Sequence, residues 1–350
     1  MFRILCVLST AAVCFAATPT QPLLARNPAI NKTSIVFSYA GDLWSVPREG
    51  GEATRLTTGA GIEDNPVFSP DGTKIAFRGE YDGNVDVYVM DAHGSVPKRL
   101  TYHPGDDTPV AWTPDGKRIV FRSNRLSYSR FTRLFSVGMD GGLPEPLDLP
   151  TAFAGSFSPD GKRIAYMPDP PAFTAWKRYR GGETSQIWIA ELPGLAVQKV
   201  PRENSNDFNP MWVENKLYFL SDRDGPFTLY SYEPGSKKVT SLVQNSGFDI
   251  KSARSGPDAI VYEQFGSIHL YDLKTGKTKP VDIRIEGDIP TLRPSFEKVA
   301  RLVQNAQGQG KARNSANRGL SANREISYGK GYKNVGLPYC LCKVLLIDTF

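Results

Sequence analysis

Cysteine is missing from the whole middle of this 350-residue chain: Cys6 and Cys14 lie near its start, Cys340 and Cys342 near its end, and none between. That excludes a disulfide framework, a thiol nucleophile and a thiolate cluster from residues 15–339, and the lone Cys-x-Cys at the end is too short a pattern for zinc. Histidine is equally scarce, with His93, His103 and His269 the three present. His93 and His103 fall on turn sequence, and His269 alternates with Ile268 and Leu270 and so faces away from them. No His-Glu-x-x-His helix, no Gly-x-Ser-x-Gly elbow and no phosphate-cradling glycine loop occurs. Asp222 and Asp224 echo part of a calcium loop, but the Gly and distal Glu spacing is wrong and a turn explains them. A serine triad needs a nucleophile, a base and a group that orients the base. The expectation is therefore no catalytic residue, no metal ligand and no cofactor.

A net charge of +6 suggests a polyanionic partner until its location is checked. Residues 301–350 hold eight Lys or Arg against two Asp or Glu, which leaves 34 of each sign in residues 1–300. The body is neutral, and nucleic-acid binding through phosphates has no support in it. Long hydrophobic runs are also lacking apart from Ile4 to Ala17, about fourteen residues, which is short for a bilayer span. Met1-Phe2-Arg3 before it, and Cys14-Phe15-Ala16 with Thr18-Pro19 after, give it the form of a secretory signal peptide over residues 1–17. Export to the periplasm or beyond is expected, with no membrane association once the segment is removed.

What the chain has is a repeat. Asp64-Asn65-Pro66-Val67-Phe68-Ser69-Pro70-Asp71-Gly72-Thr73-Lys74-Ile75-Ala76-Phe77 returns in kind around Trp112, forty-four positions after Phe68, and around Phe157, forty-five further on. In each copy a Pro sets its own φ and Asp-Gly supplies a residue tolerant of positive φ, a tight turn between two strands. Asp71, Asp115 and Asp160 are thus read as turn formers. β-Branched and aromatic residues follow, as in Ile119-Val120-Phe121, and suit a buried strand. A period near 44 with four short strands per unit belongs to propeller blades.

The fold expected is all-β, a six-bladed β-propeller of WD40-like, TolB-like repeats over residues 22–285, with blades at about 22–59, 60–103, 104–148, 149–200, 201–244 and 245–285. Such a blade cannot bury both faces alone, and a ring of stacked blades solves this. Phe68, Trp112, Phe157 and Trp212 are expected between blades. The four strands of each unit run consecutively, so the ring should close by face packing alone. Residues 286–306 read as a linker. Residues 307–350 lack periodicity and read as a disordered tail.

Repeat four carries an insertion, Pro168 to Ser185, rich in aromatic and basic residues. Loops carry function more often than strands do, and Trp, Tyr and Arg are the usual anchors of interfaces. Trp176, Arg178, Tyr179 and Arg180 are accordingly candidates for contact with a partner domain, the alternative being a loop folded onto its own ring.

Trp176-Lys177-Arg178-Tyr179-Arg180-Gly181-Gly182 with Ile187-Trp188-Ile189, Asp42-Leu43-Trp44, and Ser221-Asp222-Arg223-Asp224-Gly225 resemble the first propeller of the tricorn protease family across about residues 24–300. The Ser-Pro-Asp-Gly turns occur also in propellers similar to TolB and to prolyl oligopeptidases; the insertion discriminates better. The resemblance implies a six-bladed ring acting as a passage or filter for peptides, beside a second propeller, a PDZ domain and domains holding a serine peptidase site. Peptides or peptidase domains are then the expected partners, with homo-oligomerisation left open. An autonomous TolB-like, protein-binding scaffold in the periplasm is the alternative. Some tricorn proteases place adjacent arginines in the turn entering the third blade to hold a substrate carboxylate. Here Tyr102-His103-Pro104-Gly105-Asp106-Asp107 departs from that pattern.

Where the second propeller is expected, near Leu302, the β pattern stops, and a shifted reading frame or a truncated gene is the expected cause. Translating the DNA beyond codon 306 in the other frames should uncover a further propeller and a peptidase region; a single intact frame with nothing of the kind downstream would overturn this.

Overall fold

The turns that mark the repeat are held by the side chains that made them recognisable. Ser69 Oγ donates to Asp71 Oδ1 at 2.5 Å and the Thr73 N–H donates to the same oxygen at 3.0 Å. Thr113 and Lys117 do the same for Asp115 at 2.6 and 3.1 Å, and Ser158 and Lys162 for Asp160 at 2.6 and 3.1 Å. These bonds favour the ionised carboxylate and hold all three aspartates below their ordinary range. The next residue, Gly72 in the first copy, takes φ +75°, which a side chain would strain.

The computed structural model describes residues 23–292 apart from 60, 128–130, 175–176, 195, 288 and 290–291. The signal-peptide and tail expectations, and most of the linker, lie outside the described residues. Within them the chain forms six four-stranded antiparallel sheets, each built from consecutive strands, as the repeat predicts. Blade one comprises Arg26–Ile30, Ser34–Tyr39, Asp42–Pro47 and Thr54–Arg55; blade two Glu63–Phe68, Lys74–Gly79, Asp86–Asp91 and Lys98–Arg99. Blade three follows with Asp107–Trp112, Arg118–Ser123, Arg133–Gly138 and Gly141–Pro146, and blade four with Ala154–Phe157, Arg163–Met167, Trp188–Glu191 and Val197–Lys199. Blade five has Asp207–Val213, Lys216–Ser221, Thr228–Glu233 and Lys238–Ser241; blade six has Ile250–Ser255, Ala259–Gln264, Ser267–Asp272 and Thr278–Pro280.

The second strands are apolar on both faces because both are buried. Ile119 and Phe121 of blade three pack with Val67, Ala76 and Val87 of blade two, whereas Val120 packs with Ile164 and Tyr166 of blade four. Ile35 and Phe37 of blade one meet Val261, Ile268 and Leu270 of blade six, so the ring of apolar contacts is complete. Each wholly buried phenyl ring, such as those of Phe77, Phe121 and Phe219, contributes roughly 1.5–3 kcal/mol. Trp112 and Trp212 are buried as expected, and the Trp112 indole donates to the Val67 carbonyl of the previous blade at 3.0 Å. Phe68 and Phe157 are only half-buried, at the margins of the inter-blade cores.

Closure differs from the expectation of face packing alone. After blade six the chain passes along blade one, where Ile283–Arg284 pairs in parallel with Gly51–Glu52. The Gly51 and Ala53 N–H groups donate to the Asp282 and Arg284 carbonyls, each at 2.8 Å. Ile283, Ile285 and Ile289 also pack on the core shared by blades six and one. The clasp depends on Gly50, at φ +93°, where an added Cβ would lie 2.6 Å from the Asp282 carbonyl oxygen. No sequence period announces a two-residue parallel pairing, which is why the repeat did not reveal it.

A second system fastens the strands within a blade at their ends. Asp107 and Asp207 open the first strands of blades three and five, fully buried, and pair with Arg125 and Arg223. Each arginine also covers two stacked rings, Phe121 and Phe135 or Phe219 and Tyr230, at 5.1–5.3 Å. Blade two has Glu63 at the same place but Tyr81 where the arginine would stand. Burial and the nearby Asp42 carboxylate push the Glu63 carboxyl up to about 7.

Two outcomes follow. Gly50→Ala should lower stability by about 1–3 kcal/mol and speed hydrogen exchange at Gly51 and Ala53; unchanged protection there would mean that the clasp is not formed in solution. Native Glu63 holds its proton to about pH 7 and the unfolded chain releases it near 4.5, so stability should fall as pH rises through that window. The loss is on the order of 3 kcal/mol, and Glu63→Gln should abolish that slope and stabilise the protein above pH 7. Denaturant titrations at several pH values would show it.

Candidate functional site

The first strands face the axis, and their sequence explains the space they leave. Asn27-Pro28, Asn65-Pro66 and Asn209-Pro210 sit at register shifts in blades one, two and five, with the asparagines at φ 48, 51 and 57°. Asparagine tolerates the left-handed region, and proline needs no partner for an N–H it lacks. The bulges turn backbone and short side chains toward the axis and leave a cavity of about 270 Å³, lined from all six first strands and by Arg122 and Met167 of second strands. Asn209 Nδ2 donates to the Ala253 carbonyl at 2.7 Å, and Glu263 accepts from the Asn27 N–H at 3.1 Å and Ser252 Oγ at 3.0 Å; these contacts fasten blades five, six and one around the opening.

Guanidinium groups dominate the chemistry of this channel. Arg254 of blade six reaches across to the Val110 carbonyl of blade three, opposite on the ring, at 2.8 Å. Arg122 lies with its guanidinium over the Phe153 ring at 4.3 Å, and Arg78 pairs with Asp64 at 3.0 Å. Burial, then repulsion from Arg78 and Arg254, pulls Arg122 down to about 10; burial does the same for Arg254. Both remain cations at neutral pH. They lie deep in the molecule yet are only half-buried, because the channel admits solvent to them.

Sequence reading found the strands bearing Arg78 and Arg122 but gave those arginines no role, and it named no strand around Arg254 or Asn27. A signal was present: Ile75-Ala76-Phe77-Arg78 and Ile119-Val120-Phe121-Arg122 repeat an arginine at the inward end of a buried strand. Asn27-Pro28 likewise matches Asn65-Pro66. What no pattern shows is that Arg254 lies opposite Val110.

The candidates in the insertion lie on one face of the ring, where loops between second and third strands and between blades emerge. Arg180 is anchored to Asp222 at 2.6 Å, and Asn206 Nδ2 donates to the Tyr179 carbonyl at 2.9 Å. Lys177 pairs with Asp249 at 3.1 Å. The insertion is therefore tied to blades five and six through Lys177, Tyr179 and Arg180, while Arg178 stays exposed and Trp176 lies outside the described residues. On the same face Phe248 and Phe265 stack with centroids 4.0 Å apart, and both are more than half exposed. At the turn entering blade three, Tyr102 is exposed, His103 Nδ1 accepts the Gly105 N–H at 3.0 Å, and Asp107 is taken by Arg125. His269 stacks on Tyr262, its cross-strand neighbour, and burial holds its imidazole below the ordinary range.

Fold and channel together define a six-bladed propeller of consecutive-strand blades around a cationic axial cavity. Residues 22–277 match the family described as the tricorn protease N-terminal beta propeller domain, and the chain belongs to that family. It is 30% identical over 308 residues to tricorn protease homolog 1 of Streptomyces coelicolor, covering 85% of this chain and 28% of the relative. With the tricorn protease of Thermoplasma acidophilum it shares 28% over 273 residues, 75% of this chain and 25% of the other. The chain thus spans little more than a quarter of the length of these relatives. A crystal structure of tricorn protease superposes with a TM-score of 0.69 at 27% identity, covering 79% of this chain and 27% of that one. A TolB structure from Agrobacterium tumefaciens, at 20% identity and TM-score 0.56, covers 68% of this chain and 86% of that one and shares the fold.

Proposed function

We propose that this chain is the non-catalytic propeller portion of a tricorn-like serine peptidase, guiding or filtering peptides at its axis and docking onto peptidase domains through the face that carries the insertion. The observation that carries the reading is the family likeness over residues 22–277. Docking is supported by the exposed Phe248–Phe265 pair beside Lys177–Arg180, since stacked exposed aromatics with arginines nearby are what an interface core uses. Arg178 and Trp176 belong to the same proposed contact. Export through residues 1–17 completes the reading. An autonomous, TolB-like protein-binding scaffold is the competing reading, supported by the shared fold alone.

The test is association with the chain of a tricorn relative from which its own N-terminal propeller has been deleted, followed by sedimentation. The ring should bind it and hydrolyse no fluorogenic peptide by itself. Replacing both Phe248 and Phe265 by Ser should weaken association by at least about tenfold. No association with the deleted relative would sink the docking claim, and hydrolysis by the ring alone would sink the non-catalytic one.

A further inference from the structure

The axial cavity is lined by proline, asparagine and main chain, so its charged groups stand out. Cations around it are Arg26, Arg78, Arg122, Lys251 and Arg254. The acids are Asp64, Asp106 and Glu263. Asp64 is paired with Arg78, and Glu263 accepts from Asn27 and Ser252. Among the described residues no carboxylate pairs with Arg122, whose guanidinium rests on the Phe153 ring, and Arg254 has only a neutral carbonyl across the axis. Arg78 and Arg254 repel the Arg122 guanidinium, Asp64 and Asp106 offset this only in part, and a half-buried cation gains from a further counter-charge. Their planar forks match a carboxylate or phosphate, and a charged acceptor binds them about twice as strongly as a carbonyl. A cavity of about 270 Å³ is also below the ~300–1,000 Å³ typical of larger organic ligands.

We propose that Arg122 and Arg254, backed by Arg78, form a binding site for one oxyanion on the axis of the ring, either a peptide's terminal carboxylate or free phosphate. Arg254 acts as a crossbar: it closes the channel while bonded to Val110 and turns to the anion when one arrives. The terminal-carboxylate source rests on the peptide-handling reading above; the phosphate source does not.

Calorimetric titration of the full chain with inorganic phosphate, in a buffer without competing anions, tests the site. One-to-one binding is expected, weakened at least tenfold by Arg122→Gln and by Arg254→Gln, less by Arg122→Lys, and unchanged by Lys74→Gln on the outer surface. Circular dichroism melts would establish that the variants fold. Competition with one short peptide, carrying a free or an amidated C-terminus, identifies the source. Displacement of phosphate by the free form alone marks the terminal carboxylate, and displacement by neither marks a free-anion site. Absence of phosphate binding, binding unaltered in folded Arg122→Gln and Arg254→Gln, or equal competition by the amidated peptide would each overturn the proposal.

Discussion

A four-stranded sheet that is apolar on both faces is not stable alone in water, and this constraint governs the molecule. Ile119 and Phe121 look one way from the second strand of blade three and Val120 the other, and each needs a neighbouring blade to cover it. Repeating that requirement around a circle leaves no blade at an end. The burial of whole faces drives the ring together.

Polar groups then fix what burial alone leaves loose. The Asp107–Arg125 and Asp207–Arg223 pairs use one cation to neutralise a buried acid and to cover two aromatic rings. Blade two has Tyr81 in place of the arginine, and burial with the nearby Asp42 carboxylate pushes the Glu63 carboxyl up to about 7. The parallel pairing of Ile283–Arg284 on Gly51–Glu52 adds main-chain bonds at the seam between blades six and one, where no continuous chain holds the blades. Cores lie between blades and acid–arginine pairs near the strand ends, away from the channel and from the face that carries the insertion.

The channel is where those two demands conflict. Packing would favour small neutral residues at the axis, and Asn-Pro bulges supply them, yet Arg122 and Arg254 also lie there at a cost in desolvation and repulsion. Groups that are expensive to bury and not paired within the ring are those that an incoming anion can use.

Blade number, strand order and turn chemistry were legible in the sequence because each is local: Pro-Asp-Gly sets a turn within four residues, and a run such as Ile75-Ala76-Phe77 declares a strand buried on both sides. The family resemblance was legible for the same reason, in the contiguous insertion Trp176 to Gly182. Position around the ring was not. That Arg254 reaches Val110, that Arg180 is tied to Asp222, and that Asp282 meets Gly51 are contacts between distant stretches of chain. Only the ring's closure brings them within hydrogen-bond reach.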